Sequence, residues 1–590
     1  MELRGEQALV VRTRLPLAAA LAALALAAPA GAAGAPSEPV YDDEGRLVET
    51  PFVPAEGAAR LTEERATTIL LRDSKVADWL DRYPPKPQTD AEYRPATDDW
   101  VVKAWSGEAG QIVLGKVDDR TGEVTEAWTG PQVAWSMARG GAGAFGGKTI
   151  NGIWVWLAFC AVFLAGLLDV RRPLSLRNLD LLALLSFSIS LRMFNEGEIF
   201  WSVPLAYPPL AYLLGRCLWI ARRDRPPRAA APVWPVWVLA AACVFLAGFR
   251  VGLNVEAQRS VIDVGFAGVV GAQRIANGEM PYGHMPVQED LKPCGTADAE
   301  GEIRERIQTN GRCEASNPRG DTYGPISYLA YLPGYAAFGW TGKWDELWAA
   351  HATSLLFDAL CLLGRALVGR RFGGARLAAT LAFAWAAYPF TLYVSNSNTN
   401  DAIMPAFLIW GFWLASSAWA RGAAIALAGW TKFAALLLAP LWLSHPDGWR
   451  VPARRFALAF GATTMASFLV LLLEPDPLHA ARVFAERTFG FQLDRESPFS
   501  VWGWGQYHAD GVPDLKVVQQ VLQVLLVAGA VAVAFVPRRK SILQLAALTA
   551  ALLIGFELVL THWFYLYIPW FFPFVVFALF LRRDRPAPVH

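Results

Sequence analysis

The chain carries almost no net charge and lacks the common motifs that bind nucleotides or metals. Its 53 lysines and arginines nearly balance 52 aspartates and glutamates, which gives a formal net charge of +1. This balance argues against a nucleic-acid-binding protein, because such proteins need a strongly basic surface. The sequence has no P-loop, Rossmann glycine motif, zinc-ligand spacing or nucleophilic serine or cysteine motif. The missing nucleotide motifs argue against an ATP-driven pump.

Apolar residues are abundant instead. They make up 54% of the chain, with 25 Trp and 33 Phe, and they concentrate after residue 150. Windows of about 17–20 apolar residues recur there, which is the length that crosses a bilayer core of about 30 Å. Because basic loops stay in the cytoplasm, the arginine clusters beside these windows predict the direction of each crossing. The predicted spans are residues 152–168, 179–194, 204–221, 233–253, 347–364, 377–394, 403–420, 456–473, 517–536, 543–560 and 565–581.

This pattern predicts an all-α multi-pass membrane protein with about eleven spans and a small α+β domain in front of them. Residues 1–33 resemble a secretory signal peptide with a basic start, and an uncleaved anchor helix is the alternative. The predicted parts that follow are a soluble domain (36–147), accessory transmembrane helices (150–230) and a transmembrane core (231–590). The core carries two outer loops (254–346 and 474–514). The predicted location is a plasma membrane, with the soluble domain and both loops outside the cytoplasm.

The soluble domain shows a helix pattern followed by strand patterns. Residues 62–83 predict one helix, and residues 100–105, 111–117 and 123–128 predict strands, the last two joined by a turn at 118–122. A helix before a small antiparallel meander with the sequence VDDRTGEV resembles the PepSY-like domains. The resemblance implies a small extracytoplasmic module rather than a catalyst.

Two of the six cysteines lie in a polar loop. Cys294 and Cys313 share the first outer loop, where oxidation is permitted, and we expect a disulfide between them. A pair of free thiols is the alternative. The other four cysteines lie in apolar spans and are interpreted as small core residues.

A lysine interrupts an apolar segment that does not fit a single crossing. Arg421 and Arg450 should both lie inside, so residues 422–443 must cross an even number of times or turn back. Two half-helices that meet at residues 430–432 satisfy this condition and place Lys432 at the tip of a re-entrant hairpin. An intramembrane lysine is a functional candidate by default. The alternative is a lysine at an ordinary helix end.

Asp263 follows the span 233–253 by a few residues and precedes an amphipathic helix pattern at 264–277. A carboxyl group held between a span and an interfacial helix loses hydration, which favours a raised pKa. Such a group suits a general base that takes a proton from a hydroxyl. The alternative is that Asp263 caps the interfacial helix.

Further candidates lie in the outer loops. Arg487 and Arg495 are candidates for binding a phosphate together with Lys432, since arginine contacts phosphate bidentately. A surface Arg495 paired with Asp494 or Glu496 is the alternative. Candidates for contacts with a sugar or an acceptor are polar or aromatic residues in the outer loops or at predicted outer ends of spans: Tyr282, Asp321, Tyr323, Asp401, Trp502 and His562. For Tyr323 and His562 the alternative is a place in the interfacial aromatic belt.

Several segments together resemble one family. The sequence IDVGFAGVVGAQRIANGEMPY (262–282) is similar to the first outer loop of the GT-C superfamily of membrane glycosyltransferases. TYGPISYLAYLPGY (322–335), GWTKFAALLLAPLWL (429–443) and DRESPFSVWG (494–503) resemble later segments. The likeness covers about residues 233–581 and is closest to the bacterial polyprenyl-phospho-mannose-dependent mannosyltransferase-like branch.

The resemblance implies inverting transfer of a sugar, mannose in that branch, from a polyprenyl-phosphate donor to a hydroxyl of a lipid or glycan acceptor. Asp263 would be the base, and Lys432 or Arg495 would neutralise the leaving phosphate. No cofactor follows from the sequence, and a divalent metal ion stays an open alternative. The three spans before residue 233, the PepSY-like segment and the insertion bracketed by Cys294 and Cys313 depart from the family pattern. The rival functions are a multi-pass transporter or lipid flippase and a non-catalytic envelope scaffold.

Overall fold

A computed structural model describes residues 40–41, 47–49, 59–95, 97–135, 147–226, 233–256, 260–287, 291–295, 305–308, 311–315, 317–343, 346–446 and 451–581. The predicted signal peptide or anchor at residues 1–33 lies outside these residues. The structure is mostly helical, with a small sheet near its N-terminus.

The N-terminal part packs two short helices against a four-stranded antiparallel sheet, and we call residues 59–135 the sheet domain. Two strands that pair with each other, β1 and β2, precede it. The elements are β1 (Val40–Tyr41), β2 (Leu47–Glu49), α1 (Glu63–Leu71), α2 (Ser74–Leu80), β3 (Gln88–Arg94), β4 (Asp99–Trp105), β5 (Gln111–Asp118), β6 (Val124–Thr129) and α3 (Pro131–Ala134). Strands β3 to β6 form a meander in chain order.

Two details of the sheet domain differ from the sequence prediction. The single helix predicted at 62–83 is two helices, because the Asp73 carboxylate accepts hydrogen bonds from Lys75 N and Val76 N and so starts α2. Strand β3 was not predicted. Its residues are mostly exposed, so the strand lacks the apolar alternation by which strands are found.

Helices occupy every segment that was predicted to span the membrane. The elements of this helical core are α4 (Gly147–Asn151), α5 (Ile153–Leu167), α6 (Leu176–Asn195), α7 (Ile199–Arg223), α8 (Val236–Glu256), α9 (Asp263–Ala276), β7 (Glu305–Ile307), β8 (Cys313–Ala315), α10 (Ile326–Leu329), α11 (Leu332–Phe338), α12 (Trp348–Ala387), α13 (Pro389–Asn396), α14 (Ile403–Trp413), α15 (Ala418–Gly429), α16 (Ala439–Leu443), α17 (Val451–Phe468), α18 (Pro477–Ala485), α19 (Phe491–Asp494), α20 (Lys516–Phe535), α21 (Ile542–Leu558) and α22 (Ile568–Phe580).

Among the described residues, four helices are long and apolar enough to cross a membrane: Val236–Glu256, Trp348–Ala387, Ala453–Leu473 and Lys516–Phe535. Helix α12 is a hairpin rather than one rod, because Gly374 leaves the helical conformation with φ 76°. Arg365 Nε donates to Leu381 O (2.7 Å) across this turn. The two arms of α12 therefore run antiparallel, at the two positions predicted as separate spans.

One predicted span is interrupted in the structure. Residues 403–420 were predicted to form one helix, but α14 stops at Trp413 and α15 begins at Ala418. The Ser417 hydroxyl accepts a hydrogen bond from Ala420 N and starts the new helix. Helix α14 is therefore only 11 residues long. At 1.5 Å per residue this corresponds to about 16 Å, which is half of a bilayer core.

The loop between α9 and α10 is held together by a disulfide and a group of charges. Cys294 and Cys313 form the predicted disulfide, and β7 pairs with β8 beside it. Arg274, near the end of α9, pairs with Glu314 (2.7 Å) next to Cys313. The disulfide loop is thereby fastened to the helix that begins at Asp263.

Candidate active site

The chain turns back on itself at Lys432. Helix α15 ends at Gly429, Lys432 is extended (φ −136°, ψ 121°), and a 3-10 helix (Phe433–Leu438) leads into α16. Near the start of α15, Arg421 Nε donates to Trp442 O (2.9 Å) at the end of α16. The two half-helices therefore run antiparallel, and the hairpin predicted at residues 430–432 is present.

A neighbouring loop packs closely on this turn. Ile326 N donates to Trp430 O (3.1 Å), and the Ser327 hydroxyl donates to Thr431 O (2.8 Å). A Cβ atom built on Gly324 would overlap Trp430 O, so only glycine permits this approach. The carbonyl groups freed by the helix break thus gain donors, as a buried break requires.

Lys432 is buried and forms an ion pair with Asp401. Its Nζ lies 3.1 Å from Asp401 Oδ1, and the two side chains are 7% and 1% exposed. Trp570 Nε1 donates to the same carboxylate (3.0 Å), and the Thr399 hydroxyl donates to its other oxygen. A charged pair at such depth persists only when its remaining hydrogen bonds are made, as they are here.

Aromatic rings surround the ammonium group of Lys432. Its Nζ lies 4.3 Å from the centre of the Tyr323 ring, 5.7 Å from Trp570 and 5.9 Å from Tyr567. Ring faces attract cations, and desolvation strengthens that attraction. The lysine is therefore fixed by one carboxylate and three rings, with N–H donors left over for a ligand.

A second buried ion pair holds the segment that carries Asp401. Arg250 on α8 pairs with Asp358 (2.7 Å) and also donates to the Thr391 hydroxyl (2.8 Å) on α13. Asn254, one turn further along α8, donates to Ser395 O (3.1 Å). The end of α8 is thus joined to α13, which leads to Asp401.

Asp263 is the first residue of α9, and Ile262 occupies the cap position, so the predicted capping alternative does not hold. The residue is exposed to solvent. Partial loss of hydration of its carboxyl group still raises the pKa of that group above 3.8. A hydrogen bond from the Val264 backbone and the charges of Arg495 and Lys432 act in the opposite direction. Asp263 therefore lies within electrostatic reach of both cations.

A cavity of about 290 Å³ opens beside these groups. Lys432, Tyr323, Arg495 and His562 all line it, although they come from four different segments of the chain. The rest of the lining is mainly apolar or aromatic: Thr322, Thr431, Phe433, Ala434, Phe489, Gln492, Gln523, Phe556, Leu560, Thr561, Tyr567 and Trp570. Pockets for small organic molecules have this composition, with a few polar groups in an apolar wall.

Two of the polar groups are free to meet a ligand. Among the carboxylates whose side chains the structure describes, none forms an ion pair with Arg495. The Arg495 guanidinium lies 5.4 Å from the centre of the Phe491 ring. His562 Nδ1 is 2.8 Å from the Ser497 hydroxyl, which leaves Nε2 as the second functional atom of the ring. Burial, followed by the charges of Arg495 and Lys432, lowers the pKa of His562 well below 6.5. The imidazole is therefore neutral near pH 7.

Other predicted site residues lie outside the lining and support it. Arg487 forms a bidentate ion pair with the buried Asp321 (2.6 and 2.7 Å), and Gly283 N donates to the same carboxylate. This pair joins the two outer loops. The Tyr282 hydroxyl donates to Tyr323 O (2.9 Å), and Trp502 Nε1 donates to Leu558 O (2.8 Å). Through its hydroxyl, Tyr282 thereby positions Tyr323, which lines the cavity.

The sequence did not single out several residues that shape the cavity. Tyr567 and Trp570 stack on each other, with ring centres 4.3 Å apart. They lie in the predicted span 565–581, where they were not singled out. Glu557 is buried in α21 and accepts a hydrogen bond from Trp563 Nε1 (3.0 Å). The sequence spacing of Tyr567 and Trp570 does not predict that their rings stack. A glutamate in an apolar helix likewise does not reveal which partner its carboxyl group will contact.

Within the described part of the chain, no group of three His, Cys, Asp or Glu side chains could hold a metal ion. The charged residues that line the cavity are two cations, Lys432 and Arg495.

The close packing of α9 on the loop before Asp401 gives a test of this arrangement. A Cβ atom on Gly265 would overlap Asn398 O, whereas a Cβ on Gly248 of α8 meets nothing within 4 Å. We expect Gly265→Ala to lower the free energy of unfolding by about 1–3 kcal/mol, as overpacking does. Gly248→Ala should leave it unchanged or raise it. Thermal unfolding in detergent measures both, and equal stability of the two variants would contradict the packing.

Comparison with known proteins adds no relative from which a function can be transferred. No family model matches the chain, and no curated protein matches it. The function is therefore inferred from the cavity and the residues around it.

Proposed function

We propose that the protein is a membrane glycosyltransferase that moves a sugar from a polyprenyl-phosphate donor to an acceptor hydroxyl. The observation that carries the proposal is the convergence of Lys432 and Arg495 in one cavity with aromatic walls, within electrostatic reach of Asp263. A phosphate attached to an apolar chain needs fixed cations next to apolar surface. A hydroxyl group that attacks a sugar needs a base.

The roles follow from the charges. Arg495 has no described carboxylate partner, so it supplies the uncompensated positive charge and the planar donors that suit a phosphate. Lys432 shares its charge with Asp401, and its remaining donors can contact the same phosphate. Preorganised cations that face a developing negative charge provide much of the catalysis in such sites.

In the proposed step the acceptor oxygen attacks the anomeric carbon of the donor sugar. The bond between that carbon and the phosphate oxygen breaks, and its electron pair leaves with the polyprenyl phosphate. Asp263 takes the proton of the acceptor hydroxyl. One displacement inverts the configuration of the sugar. Tyr323, Tyr567 and Trp570 offer ring faces on which a sugar can stack.

The proposal includes the topology predicted from the sequence, with about eleven spans in a bacterial plasma membrane. The site would then face away from the cytoplasm, on the side that carries the sheet domain. Mannose and a cell-envelope lipid or glycan are the proposed sugar and acceptor. The rival transporter function calls for charges along a path through the membrane. The charges of this site gather around one cavity, which favours the transferase.

The direct test is transfer of radiolabelled mannose from polyprenyl-phosphate mannose to membrane acceptors. Asp263→Asn keeps the shape of the side chain but cannot accept the proton, so we expect transfer to fall by about 10²–10⁴-fold. Asp510→Asn, at an exposed outer-loop position, is the matched control and should keep the wild-type rate. Full transfer by Asp263→Asn would refute the base assignment.

The raised pKa of Asp263 predicts the pH dependence of transfer. The carboxyl group must be ionised to accept a proton, so activity is lost as the pH falls through its pKa. Because the pKa is raised, the acidic limb of kcat/KM should lie above pH 3.8 and respond to substitution of Arg495. Arg495→Gln removes a charge that lowers this pKa, so the limb should move to higher pH. A profile that does not move would contradict the electrostatic link.

A further inference from the structure

The sheet domain packs on the chain that follows Arg495. Trp79 stacks on Phe200 at the start of α7 (5.5 Å between ring centres) and meets the edge of Tyr507 (6.0 Å). Asp510 N donates to Arg82 O (3.2 Å). Tyr507 and Ala509 are buried in the same apolar cluster as the core of the sheet domain. The domain and residues 497–512 are therefore one packed unit.

A second contact lies closer to the cavity. Gln132 on α3 is buried and donates to Gly197 O (3.0 Å), which fixes the end of the sheet domain against the start of α7. Trp135 follows α3 directly. Its ring centre lies 5.1 Å from Phe499 and 5.8 Å from His562. The sheet domain thus reaches a residue that lines the cavity.

His562 is held between the domain and the loop that also supplies Arg495. Ser497 bonds its Nδ1, and Phe499 and Trp135 pack on its ring. The Ser500 hydroxyl donates to Thr561 O, next to His562 in the chain (2.6 Å). Removing Trp135 would take away one of the rings that pack on the imidazole.

We infer that Trp135 is a positioning residue for His562, through which the sheet domain forms part of the wall of the site. The inference rests on the proposed function for its meaning in catalysis, but the contact itself does not. It gives the sheet domain a role in the cavity that a separate binding module would not have. If the protein is an enzyme, deleting residues 36–147 would therefore damage its active site. If it is a scaffold, the same deletion would remove its binding surface.

The test measures His562 without any substrate. Diethylpyrocarbonate modifies neutral imidazole, and peptide mass spectrometry reports the rate at each histidine of the full chain in lipid nanodiscs. In the wild type, burial keeps His562 neutral, so its labelling rate should be similar at about pH 5.5 and pH 7.5. In Trp135→Ala, water reaches the ring and its pKa returns toward 6.5 against the charges of Arg495 and Lys432. The rate at the lower pH should then fall up to about tenfold below the rate at the higher pH.

Two control variants make the result specific. Trp135→Phe keeps a ring in place and should retain the wild-type ratio of the two rates. Trp105→Ala removes a partly exposed tryptophan from β4 of the same domain and should also retain it. The exposed His284 reports the reactivity of the reagent in every sample. If Trp135→Ala does not fold, Trp135→Leu takes its place.

If Trp135→Ala keeps the wild-type ratio of the two labelling rates at His562, the inference is wrong. It is also wrong if Trp105→Ala lowers the rate at about pH 5.5 as much as Trp135→Ala does. The transfer assay with Asp263→Asn judges the proposed function separately, because the labelling needs neither donor nor acceptor. If the wild type transfers sugar, Trp135→Ala should also lower its kcat, and Trp135→Phe should restore it. The two hypotheses can therefore fail independently.

Discussion

The ion pair between Lys432 and Asp401 is the interaction on which the site depends. An ammonium group in an apolar interior is costly unless a carboxylate and further hydrogen bonds accompany it. The chain meets this need at two helix ends that lie side by side: Lys432 follows the end of α15, and Asp401 precedes the start of α14. Arg250, which is paired with Asp358, also bonds Thr391 on α13, the helix that leads to Asp401. The cavity beside Lys432 is a consequence of these breaks.

The outer parts of the chain complete the cavity from several directions. The pair of Arg487 and Asp321 joins the two outer loops, and the disulfide loop is fastened to α9 through Arg274 and Glu314. The sheet domain supports the segment after Arg495 and touches His562 through Trp135. These supports come from three different segments of the chain.

The sequence predicted residue types better than their partners. Lys432 could be predicted, because charge parity and an apolar run limit the paths that the chain can take. Arg487 could not be told from Arg495: both are loop arginines, and only the fold brings Asp321 to the first. The end of α14 was missed because no glycine, proline or charge marks residues 414–417, although Ser417 is a good cap. Trp135 carries no pattern at all, since its contacts lie far along the chain.

The most direct test of the account is to locate the phosphate. A cryo-electron-microscopy structure of the protein in nanodiscs with a short-chain polyprenyl monophosphate would show where that group binds. We predict a phosphate about 3 Å from the donors of Arg495 and Lys432, with the apolar chain leaving past Phe433 and Phe556. A phosphate bound elsewhere, or an empty cavity at saturating lipid, would contradict the claim that this cavity is the donor site.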